Sequence, residues 1–430
     1  MFDVLVVGGG MAGTIAALAA RSCGQSVGIA RRSWGATSMS TGALDIGFSP
    51  ALSQAHQMPS TLAEHVMDVA AHRRRHPYAI VGIERSMPAI ARGFALLQNA
   101  LAGTGLEPPA IDFEAENVHL PSTSGVAYPA ATALLSHMGV DFCRPLSGRW
   151  GVLQLAGQSY FDAKAVIRGL LADGEALSGT AAELEVIEVD WDGSSPSAAV
   201  ARSLDDQANV EKLLRALRGK TDGLVGIIAP PVLGISRHAT VHAKLSESMG
   251  MPVVEALGRM PSVPGMRLQL ALEAALEAAG VESVGEVVEA KTRGNALQSL
   301  LTRDSLEISA SSFVLASGRF ISGGVRWQER CEESLLGLPI VTEDGLLEDD
   351  SPSPLIRDTP MESHPLMTAG IQVDGELRPM REGQVPFENL YAAGMVIGGF
   401  ASRYVLCADG VALATGWLAG RAAAKRGSDS

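Results

Sequence analysis

The glycine-rich N-terminal segment constrains the fold of this chain more than any other feature. Phe2 to Val7 is a short run rich in β-branched residues, typical of a buried parallel strand, and the pattern G-x-G-x-x-G follows at Gly8, Gly10 and Gly13. An alanine-rich stretch from Thr14 to Arg21 then predicts a helix. A strand, a glycine turn and a helix in this order predict a dinucleotide-binding β-α-β unit.

The three glycines have separate roles in such a unit. Gly8 permits the tight turn after the strand, Gly10 lets the backbone approach a pyrophosphate, and Gly13 lets the helix pack against the strand. The helix N-terminus supplies N–H donors and a favourable dipole for phosphate, so Met11 and Ala12 join the glycines as candidate cofactor contacts. A glycine-rich turn without a ligand is the alternative.

The acidic residue that usually binds the adenosine ribose after the second strand is missing. That strand is predicted over Ser26 to Ala30, and Arg31, Arg32 and Ser33 follow it. An arginine at this place can bind the 2′-phosphate of NADP, bind a different phosphate, or stay solvated. Arg31 and Arg32 are therefore candidate cofactor contacts, and the adenosine end departs from the usual FAD or NAD pattern.

A loop of small and hydroxyl-bearing residues follows, from Gly35 to Asp45. Such a loop can lie against a flat ring and donate hydrogen bonds to it, and the alternative is an ordinary polar loop. We predict that Ser38, Ser40, Thr41 and Gly42 contact the cofactor.

The C-terminal part of the chain repeats the order of strand, glycine and helix. Ser312 to Gly318 and Val385 to Gly394 each end a short apolar strand on a glycine, and a helix is predicted from about Asp409 to Lys425. These segments resemble the later cofactor-binding segments of two-dinucleotide-binding-domain flavoproteins, in which a helix N-terminus points at the pyrimidine side of the isoalloxazine. An NADP-only reductase would not need the last segment. The candidate cofactor contacts in this part are Ser317, Gly318, Gly394, Gly398 and Gly399.

Composition and cysteine spacing exclude several classes of protein. The net charge of −13 and the content of only five Tyr, five Trp and ten Phe argue against a nucleic-acid-binding protein. The four cysteines lie far apart without a C-x-x-C pair, so we expect neither an iron–sulfur cluster nor a zinc site, and no metal site is predicted.

The apolar run from Leu5 to Ala20 holds four glycines, so we interpret it as strand, turn and helix and predict no transmembrane segment.

The middle of the chain predicts a second, mixed α/β region. Val210 to Leu217 carries a helical apolar stripe, and Gly223 to Ala229 is typical of a buried strand. Because both chain ends supply nucleotide-binding segments, we predict an α/β fold with a discontinuous Rossmann-type FAD/NAD(P)-binding flavoprotein domain, formed by residues 1–50, 275–330 and 380–430. The inserted α/β domain, residues 51–274, would face the substrate or another subunit.

Catalytic candidates rest on single residues, because no nucleophile elbow, H-E-x-x-H or Walker A pattern occurs. Arg267 precedes a helix predicted over Leu268 to Ala279 and could clamp an anion, although a capping or surface role is equally open. His76 lies in the context H-P-Y, where a structural role is the alternative. Arg319 and Arg403 are further basic candidates for binding a phosphate.

Together these motifs resemble the family of the B subunit of anaerobic glycerol-3-phosphate dehydrogenase over nearly the whole chain. The resemblance is carried by F-D-V-L-V-V-G-G-G-M-A-G at the N-terminus, S-M-S-T-G-A-L-D from Ser38, H-P-Y from His76, P-S-V-P-G-M-R ending at Arg267, V-L-A-S-G-R-F-I-S-G-G from Val314, and F-E-N-L-Y-A-A-G-M-V-I-G-G-F near the C-terminus. The motif S-G-R-F-I-S-G-G is the most specific of these. The segment from Ala401 to Gly410 departs from the glycine-rich stretch that family members often have there.

The resemblance implies a flavoprotein subunit of a respiratory dehydrogenase complex. It implies a separate catalytic FAD subunit, which oxidises sn-glycerol 3-phosphate to dihydroxyacetone phosphate. It also implies a membrane-associated iron–sulfur subunit, which passes electrons to quinone and then to fumarate or nitrate. Members of this family are usually assigned FMN, which fits the missing ribose acid near Arg31, and FAD is the other candidate cofactor. The implied location is cytoplasmic, at the inner face of the cell membrane through the partner subunits.

The implied reaction transfers a hydride from carbon 2 of glycerol 3-phosphate to a flavin N5 while a base takes the hydroxyl proton, either on this chain or on the catalytic FAD subunit. Two alternatives stay open. The first is a stand-alone FAD-dependent oxidoreductase of the fumarate-reductase type that acts on another hydroxy or keto acid. The second is a flavoprotein-like scaffold that has lost its cofactor and only binds partners.

Overall fold

A computed structural model of the chain describes residues 1–49, 60–158, 160–180, 182–191, 196–347, 355–359, 362 and 364–428. The strands are β1 (Phe2–Val7), β2 (Val27–Ala30), β3 (Ala43–Leu44), β4 (Val118–Pro121), β5 (Ala127–Ala130), β6 (Thr132–Ala133), β7 (Arg149–Leu155), β8 (Glu183–Val189), β9 (Leu224–Ala229), β10 (Val253–Glu255), β11 (Glu282–Ser283), β12 (Val287–Arg293), β13 (Ala296–Thr302), β14 (Glu307–Leu315), β15 (Val325–Trp327), β16 (Cys331–Glu333), β17 (Ile340–Val341), β18 (Gly370–Ile371) and β19 (Leu390–Ala392).

The α-helices are α1 (Met11–Arg21), α2 (Leu62–His72), α3 (Pro77–Val81), α4 (Ile83–Leu101), α5 (Ala163–Ser178), α6 (Ser197–Leu204), α7 (Gln207–Leu217), α8 (His238–Met249), α9 (Val263–Ala278), α10 (Ser402–Val405) and α11 (Ala408–Ser428). Among these described helices, none combines the length and the apolar character needed to cross a membrane.

The N-terminal strand lies at the centre of the larger sheet. Its strands follow the order β11-β2-β1-β14-β13-β12, and β19 pairs with the C-terminal half of β14. Strand β1 pairs in parallel with both neighbours, so that Val6 lies opposite Ile29 on one side and Val314 on the other. The carboxyl ends of these parallel strands therefore meet at one edge of the sheet, which is where doubly wound folds bind their ligands.

Two helices from opposite ends of the chain pack together on this sheet. Helices α1 and α11 approach so closely that a Cβ on Gly420 would lie 2.3 Å from the Ala16 carbonyl oxygen. Helix α4 packs against α11 in the same way, with Gly93 facing the Leu413 carbonyl. Because the apolar residues of β1 and β14 lie beneath these helices, they form the main core of the molecule.

A second, smaller sheet lies in the middle of the chain. Its four strands are parallel and follow the order β10-β9-β7-β8. Successive residues of β7 point to opposite faces: Leu153 joins a core with α6, α7 and α8, and Val152 joins a core with α5. The two sheets and their helices confirm the predicted α/β fold with its Rossmann-type unit.

Local patterns predicted several elements closely. The strand over Phe2–Val7 has the predicted bounds, and β9 begins one residue after the predicted start. At the start of α2, Thr61 and Glu64 form a capping box: the Thr61 hydroxyl accepts from the Glu64 N–H at 3.2 Å, and the Glu64 carboxylate accepts from the Thr61 N–H at 2.8 Å.

One helix begins earlier than predicted. Helix α9 starts at Val263 rather than Leu268, so Arg267 lies inside the helix and not before it. Ser262 caps the helix by accepting from the Gly265 N–H at 3.0 Å, and Pro264 occupies the first turn, where no N–H is needed. The predicted start was wrong because proline and glycine disfavour a helix interior but fit its first turn.

The predicted domain boundaries, residues 1–50, 275–330 and 380–430 with an insert over 51–274, stay a prediction. Strands β7–β10 of that insert form their own sheet, whereas its helix α4 packs on α1 and α11. Residues 50–59, at the first predicted boundary, lie outside the described residues.

We expect Gly420→Ala to destabilise the chain by roughly 1–2 kcal/mol, because overpacking outweighs the helix propensity gained. The added methyl group would meet a backbone oxygen, which can move only if α1 shifts. Urea unfolding followed by circular dichroism measures the change, with Lys425→Ala at an exposed position of α11 as the control. An unchanged unfolding midpoint in Gly420→Ala would contradict the close packing of the two helices.

Candidate functional site

A cavity of about 700 Å³ opens at the carboxyl ends of β1, β2 and β14. This volume lies in the range of cofactor and ligand sites. Its wall combines segments that lie far apart in the sequence: residues 7–12, 30–37, 39–41, 286–288, 316–318, 322–324 and 333–335, together with Asp45, Met395 and Asp409. The cavity therefore brings together the glycine turn, the hydroxyl loop and the two C-terminal segments.

The glycine turn fits the close approach of a ligand. A Cβ on Gly13 would lie 1.9 Å from the Gly8 carbonyl oxygen, and a Cβ on Gly8 would lie 2.1 Å from the Ala316 carbonyl oxygen. Gly8 also has a φ of +118°, so the chain itself requires both glycines. At Gly10 the nearest atom to such a Cβ would be the Thr37 hydroxyl oxygen at 3.4 Å, an ordinary distance. Because the packing does not require Gly10, a ligand at this face of the cavity accounts for it.

Helix α1 begins on the cavity wall with free donors. Gly10 occupies the N-cap position without a side-chain cap, and the first turn holds no acidic residue. The Met11 N–H donates to the Thr37 hydroxyl at 2.8 Å, whereas the Ala12 and Gly13 N–H groups belong to the first turn, where no intrahelical acceptor exists. A pyrophosphate supplies the missing acceptor and the charge that the helix dipole favours.

Two buried polar atoms on the wall lack a partner among the residues that the structure describes. They are the Ser317 hydroxyl oxygen and Oδ1 of Asp45. Buried polar atoms are nearly always hydrogen-bonded in native proteins, so a ligand bound in the cavity would supply the partners that these two atoms lack. The glycine turn, the helix donors and these two atoms together fit a flavin dinucleotide.

The cavity continues beyond the glycine turn to a charged end. Arg31 contacts the Glu273 carboxylate there, and Arg32 lies 3.8 Å from the Glu286 carboxylate. Arg303 donates two hydrogen bonds to Glu286, at 2.5 and 2.9 Å, and these bonds lower the pKa of Glu286. A carboxylate, that of Glu286, thus lies near Arg32 and comes from the segment after β11. The adenosine half of FAD, which FMN lacks, would lie against these charged residues of the wall.

Ten of the predicted cofactor contacts lie on the cavity wall. They are Gly8, Gly10, Met11, Ala12, Arg31, Arg32, Ser40, Thr41, Ser317 and Gly318.

The other predicted contacts are not among the residues that line the cavity, and their role in cofactor binding stays a prediction. Gly13 packs on Gly8, the Ser38 hydroxyl donates to the Gly35 carbonyl at 2.9 Å, and Gly42 packs over His137. Three glycines of the last segment donate their N–H groups within the protein: Gly394 to Thr415 at 2.8 Å, Gly398 to Ile371 at 2.9 Å and Gly399 to Thr368 at 2.8 Å. Met395 and Ala412 of the same region reach the wall instead.

The catalytic candidates His76 and Arg319 have structural partners. Nδ1 of His76 accepts from the Tyr78 N–H at 3.1 Å, and burial lowers the pKa of His76 to about 3, so the ring stays neutral. The Arg319 guanidinium donates to four backbone carbonyls, those of Met367, Met395, Ile397 and Phe400. Both side chains are therefore engaged away from the cavity wall. Arg403 lies in α10, and its side chain is outside the described part of the chain.

Arg267 forms a buried ion pair and not an anion clamp on the wall. Its guanidinium donates to both oxygens of Glu255, at 2.6 and 3.1 Å, and to the Gly234 carbonyl at 2.7 Å. Burial acts to raise the pKa of Glu255, but Arg267 and His238 outweigh it and hold the pKa below its ordinary value. Glu255 also accepts from the Ser136 hydroxyl. All three guanidinium nitrogens of Arg267 therefore donate within the protein.

This ion pair lies under the hydroxyl loop of the cavity. A Cβ on Gly265 in α9 would lie 2.4 Å from the Ser38 carbonyl oxygen, and the Thr41 carbonyl accepts from the Gly258 N–H at 2.7 Å. Arg267 follows Gly265 by two residues, so the position of α9 and the position of the loop depend on the same pair. Arg267 is therefore a positioning residue for the wall.

The site includes a carboxylate pair that sequence reasoning missed. The Asp409 carboxylate, at the start of α11, accepts from the Asp45 N–H at 2.9 Å. The Tyr128 hydroxyl, on β5, donates to Oδ2 of Asp45 at 2.8 Å. Burial and then the charge of Asp409 raise the pKa of Asp45 to about 7, and burial raises the pKa of Asp409 to about 6. Both residues lie at the ends of segments that the motifs singled out, but their proximity depends on the fold.

One group of possible metal ligands occurs among the described residues, although none is predicted from the sequence. His119, Asp141 and Cys143 bring ligand atoms within 4.8 Å of one another. Oδ1 of Asp141 already accepts two backbone N–H bonds, and Nδ1 of His119 lies 2.8 Å from the Cys143 sulfur. These contacts organise a loop around the three side chains.

The chain matches the FAD binding domain family over residues 3–411. It is similar to the B subunit of anaerobic glycerol-3-phosphate dehydrogenase from Yersinia enterocolitica, with 28% identity over 425 residues that cover 96% of this chain and 95% of that protein. It is 27% identical over 449 residues to the probable B subunit of the same enzyme from Halobacterium salinarum, covering 98% of both. These relatives confirm the resemblance inferred from the motifs.

Solved structures align over the same extent at lower similarity. The 3-ketosteroid Δ1-dehydrogenase from Sterolibacterium denitrificans covers 99% of both chains, with 11% identity and a TM-score of 0.44.

We expect Arg267→Ala to destabilise the chain by about 3–5 kcal/mol, because it leaves the buried Glu255 carboxylate without its cation. Urea unfolding measures the loss. The control is Arg85→Ala, which breaks a more exposed ion pair with Glu376 and should cost less than about 1 kcal/mol. Equal losses for the two variants would show that the buried pair does not organise α9.

We expect Ser317→Ala to weaken FAD binding roughly 2- to 10-fold, equivalent to about 0.5–1.5 kcal/mol for one hydrogen bond. The matched control is Ser312→Ala, which removes another buried hydroxyl that has no partner among the described residues and does not line the cavity. Fluorescence titration of the FAD-free chain measures both affinities. If Ser317→Ala binds FAD as the unmodified chain does, the hydroxyl makes no contact with the cofactor.

Proposed function

Because this chain belongs to the FAD binding domain family, we propose that it is the FAD-binding B subunit of an anaerobic-type sn-glycerol-3-phosphate dehydrogenase. Its similarity over 96% of its length to proteins that carry the name of that subunit is the observation that carries the proposal. The cavity supports it, because residues from both ends of the chain meet there as a flavin dinucleotide requires.

We assign three regions of the cavity to the pyrophosphate, the adenosine half and the ring system of the cofactor. The start of α1 would hold the pyrophosphate, and the region of Arg32 and Glu286 would hold the adenosine half. Ser317 and the residue 39–41 loop would hold the ring system, near the start of α11. Bound FAD supplies a two-electron acceptor for the oxidation of an alcohol.

The proposal includes two partner subunits and a membrane-linked electron path. The catalytic partner would carry its own FAD, and the oxidation of sn-glycerol 3-phosphate to dihydroxyacetone phosphate would take place on that partner or on this chain. The other partner would hold iron–sulfur clusters at the inner face of the cell membrane, with quinone and then fumarate or nitrate as acceptors. The relatives are named as one subunit of a larger enzyme, which supports an assembly of this kind.

The hydrogen bonds of two arginines indicate where the phosphate of the substrate would bind. Arg267 and Arg319, proposed from the sequence as phosphate clamps, direct their donors to Glu255 and to backbone carbonyls. This engagement favours the version of the proposal in which cations of the catalytic partner, at its interface with this chain, bind the phosphate of the substrate.

The test is to purify the full-length chain with its co-expressed partners, release the flavin by denaturation and identify it by mass. We expect FAD from this chain, and we expect glycerol 3-phosphate to bleach the flavin absorbance of the complex while succinate and glycerol do not. Release of FMN alone would contradict the assignment of the adenosine end. Reduction by succinate but not by glycerol 3-phosphate would contradict the proposed substrate.

A further inference from the structure

The Asp45 carboxyl is placed for proton exchange with a ligand in the cavity. Its Oδ2 is held by the Tyr128 hydroxyl at 2.8 Å, whereas its Oδ1 is buried on the wall and has no partner among the described residues. One oxygen therefore fixes the orientation of the carboxyl, and the other is free to hold or release a proton. A general acid or base needs this combination of fixed geometry and an unoccupied site.

Asp409 supplies a negative charge beside this carboxyl. It lies in the first turn of α11, where the helix dipole stabilises a carboxylate, and it accepts from the Asp45 N–H at 2.9 Å. Two nearby carboxyls in a half-buried site disfavour a double charge, so one of them keeps a proton when the other is ionised. The helix terminus favours the charge on Asp409, so Asp45 is the member of the pair that gains and loses a proton near neutral pH.

The other titratable groups that face the pair stay neutral near pH 7. Burial raises the pKa of Tyr78, Tyr128 and Cys407, so neither the phenols nor the thiol adds a charge. The charges of Arg319 and Arg73 act to lower the pKa of Cys407, but burial outweighs them. Asp45 and Asp409 are therefore the groups of this cluster whose protonation changes near neutral pH.

We propose that Asp45 is a general acid–base residue of the cofactor cavity, with Asp409 and Tyr128 as the residues that position it. The inference rests on the version of the proposed function in which the alcohol is oxidised at this chain's cavity, with the flavin bound there as the oxidant. The step assigned to the ionised form of Asp45 is a proton transfer: the O–H bond of the alcohol would break and an O–H bond would form on Oδ1 of Asp45. Bound FAD would supply the acceptor for the C–H hydrogen and its electron pair.

The experiment compares four variants of the FAD-loaded full-length chain, with its partner subunits where they co-purify. The variants are Asp45→Asn, Asp409→Asn, Tyr128→Phe and the control Asp222→Asn, an exposed carboxyl beside the smaller sheet. Isotope-edited infrared spectroscopy measures the protonated carboxyl of aspartate from about pH 5 to about pH 9. Bleaching of the flavin by glycerol 3-phosphate measures the rate over the same range.

We expect a carboxyl that titrates near neutral pH in the unmodified chain and in Asp222→Asn, and its loss in Asp45→Asn. The rate should fall at least about 100-fold in Asp45→Asn while FAD stays bound. Asp409→Asn removes a neighbouring charge and should shift the midpoint of the pH–rate profile to lower pH. Tyr128→Phe removes a hydrogen bond to the ionised carboxyl and should shift the midpoint to higher pH.

Two results separate this inference from the proposed function. If glycerol 3-phosphate reduces the flavin but Asp45 titrates near its ordinary pKa of about 4, the acid–base role is overturned and the function stands. If the neutral-range carboxyl is present but glycerol 3-phosphate reduces the flavin in no preparation, the proton site is supported and the proposed function is overturned. Midpoints that do not move in opposite directions in Asp409→Asn and Tyr128→Phe would contradict the positioning roles.

Discussion

The parallel pairing of β1 with β14 is the interaction on which the rest of the structure depends. It joins Val6 to Val314 across more than 300 residues and places the glycine turn beside Ala316. Helix α1 can then pack against α11, and the close contact of Gly420 with Ala16 shows how little space separates them. The cavity exists because the strands that lead into it end at the same edge of one sheet.

A buried ion pair supports the wall of the cavity through helix α9. The pair of Arg267 and Glu255 is almost fully buried, and such pairs contribute little net stability when compared with apolar residues. Its value here is geometric, because the pair holds one end of α9, and α9 supports the loop that carries Ser40 and Thr41. The same loop ends at Asp45, so the position of the carboxyl pair on the wall also depends on this buried network.

Sequence patterns predicted those features that local chemistry determines. The strand β1 and the glycines of the turn depend on neighbouring residues, and the structure has them where the patterns indicate. Helix α1 is also present, but it begins at Met11, three residues before its predicted start at Thr14. The patterns failed where partners come from distant segments. The sequence around Arg267 is compatible with an anion-binding role, and only the fold shows that Glu255 is its partner. Likewise, the carboxylate near Arg32 belongs to Glu286, which lies far from β2 in the sequence. The carboxyl pair of Asp45 and Asp409 could not be predicted for the same reason, because its two members are 364 residues apart in the sequence.

The contribution of both termini to one cavity has a consequence for biosynthesis. A ribosome synthesises α1 and the glycine turn long before β14 and α11. The nascent N-terminal unit therefore lacks the contacts that β14 and α11 supply. Non-local parallel pairing is also slow to form. Cofactor loading must therefore follow completion of the polypeptide, and any chain that terminates early leaves the ribosome without a place for the flavin.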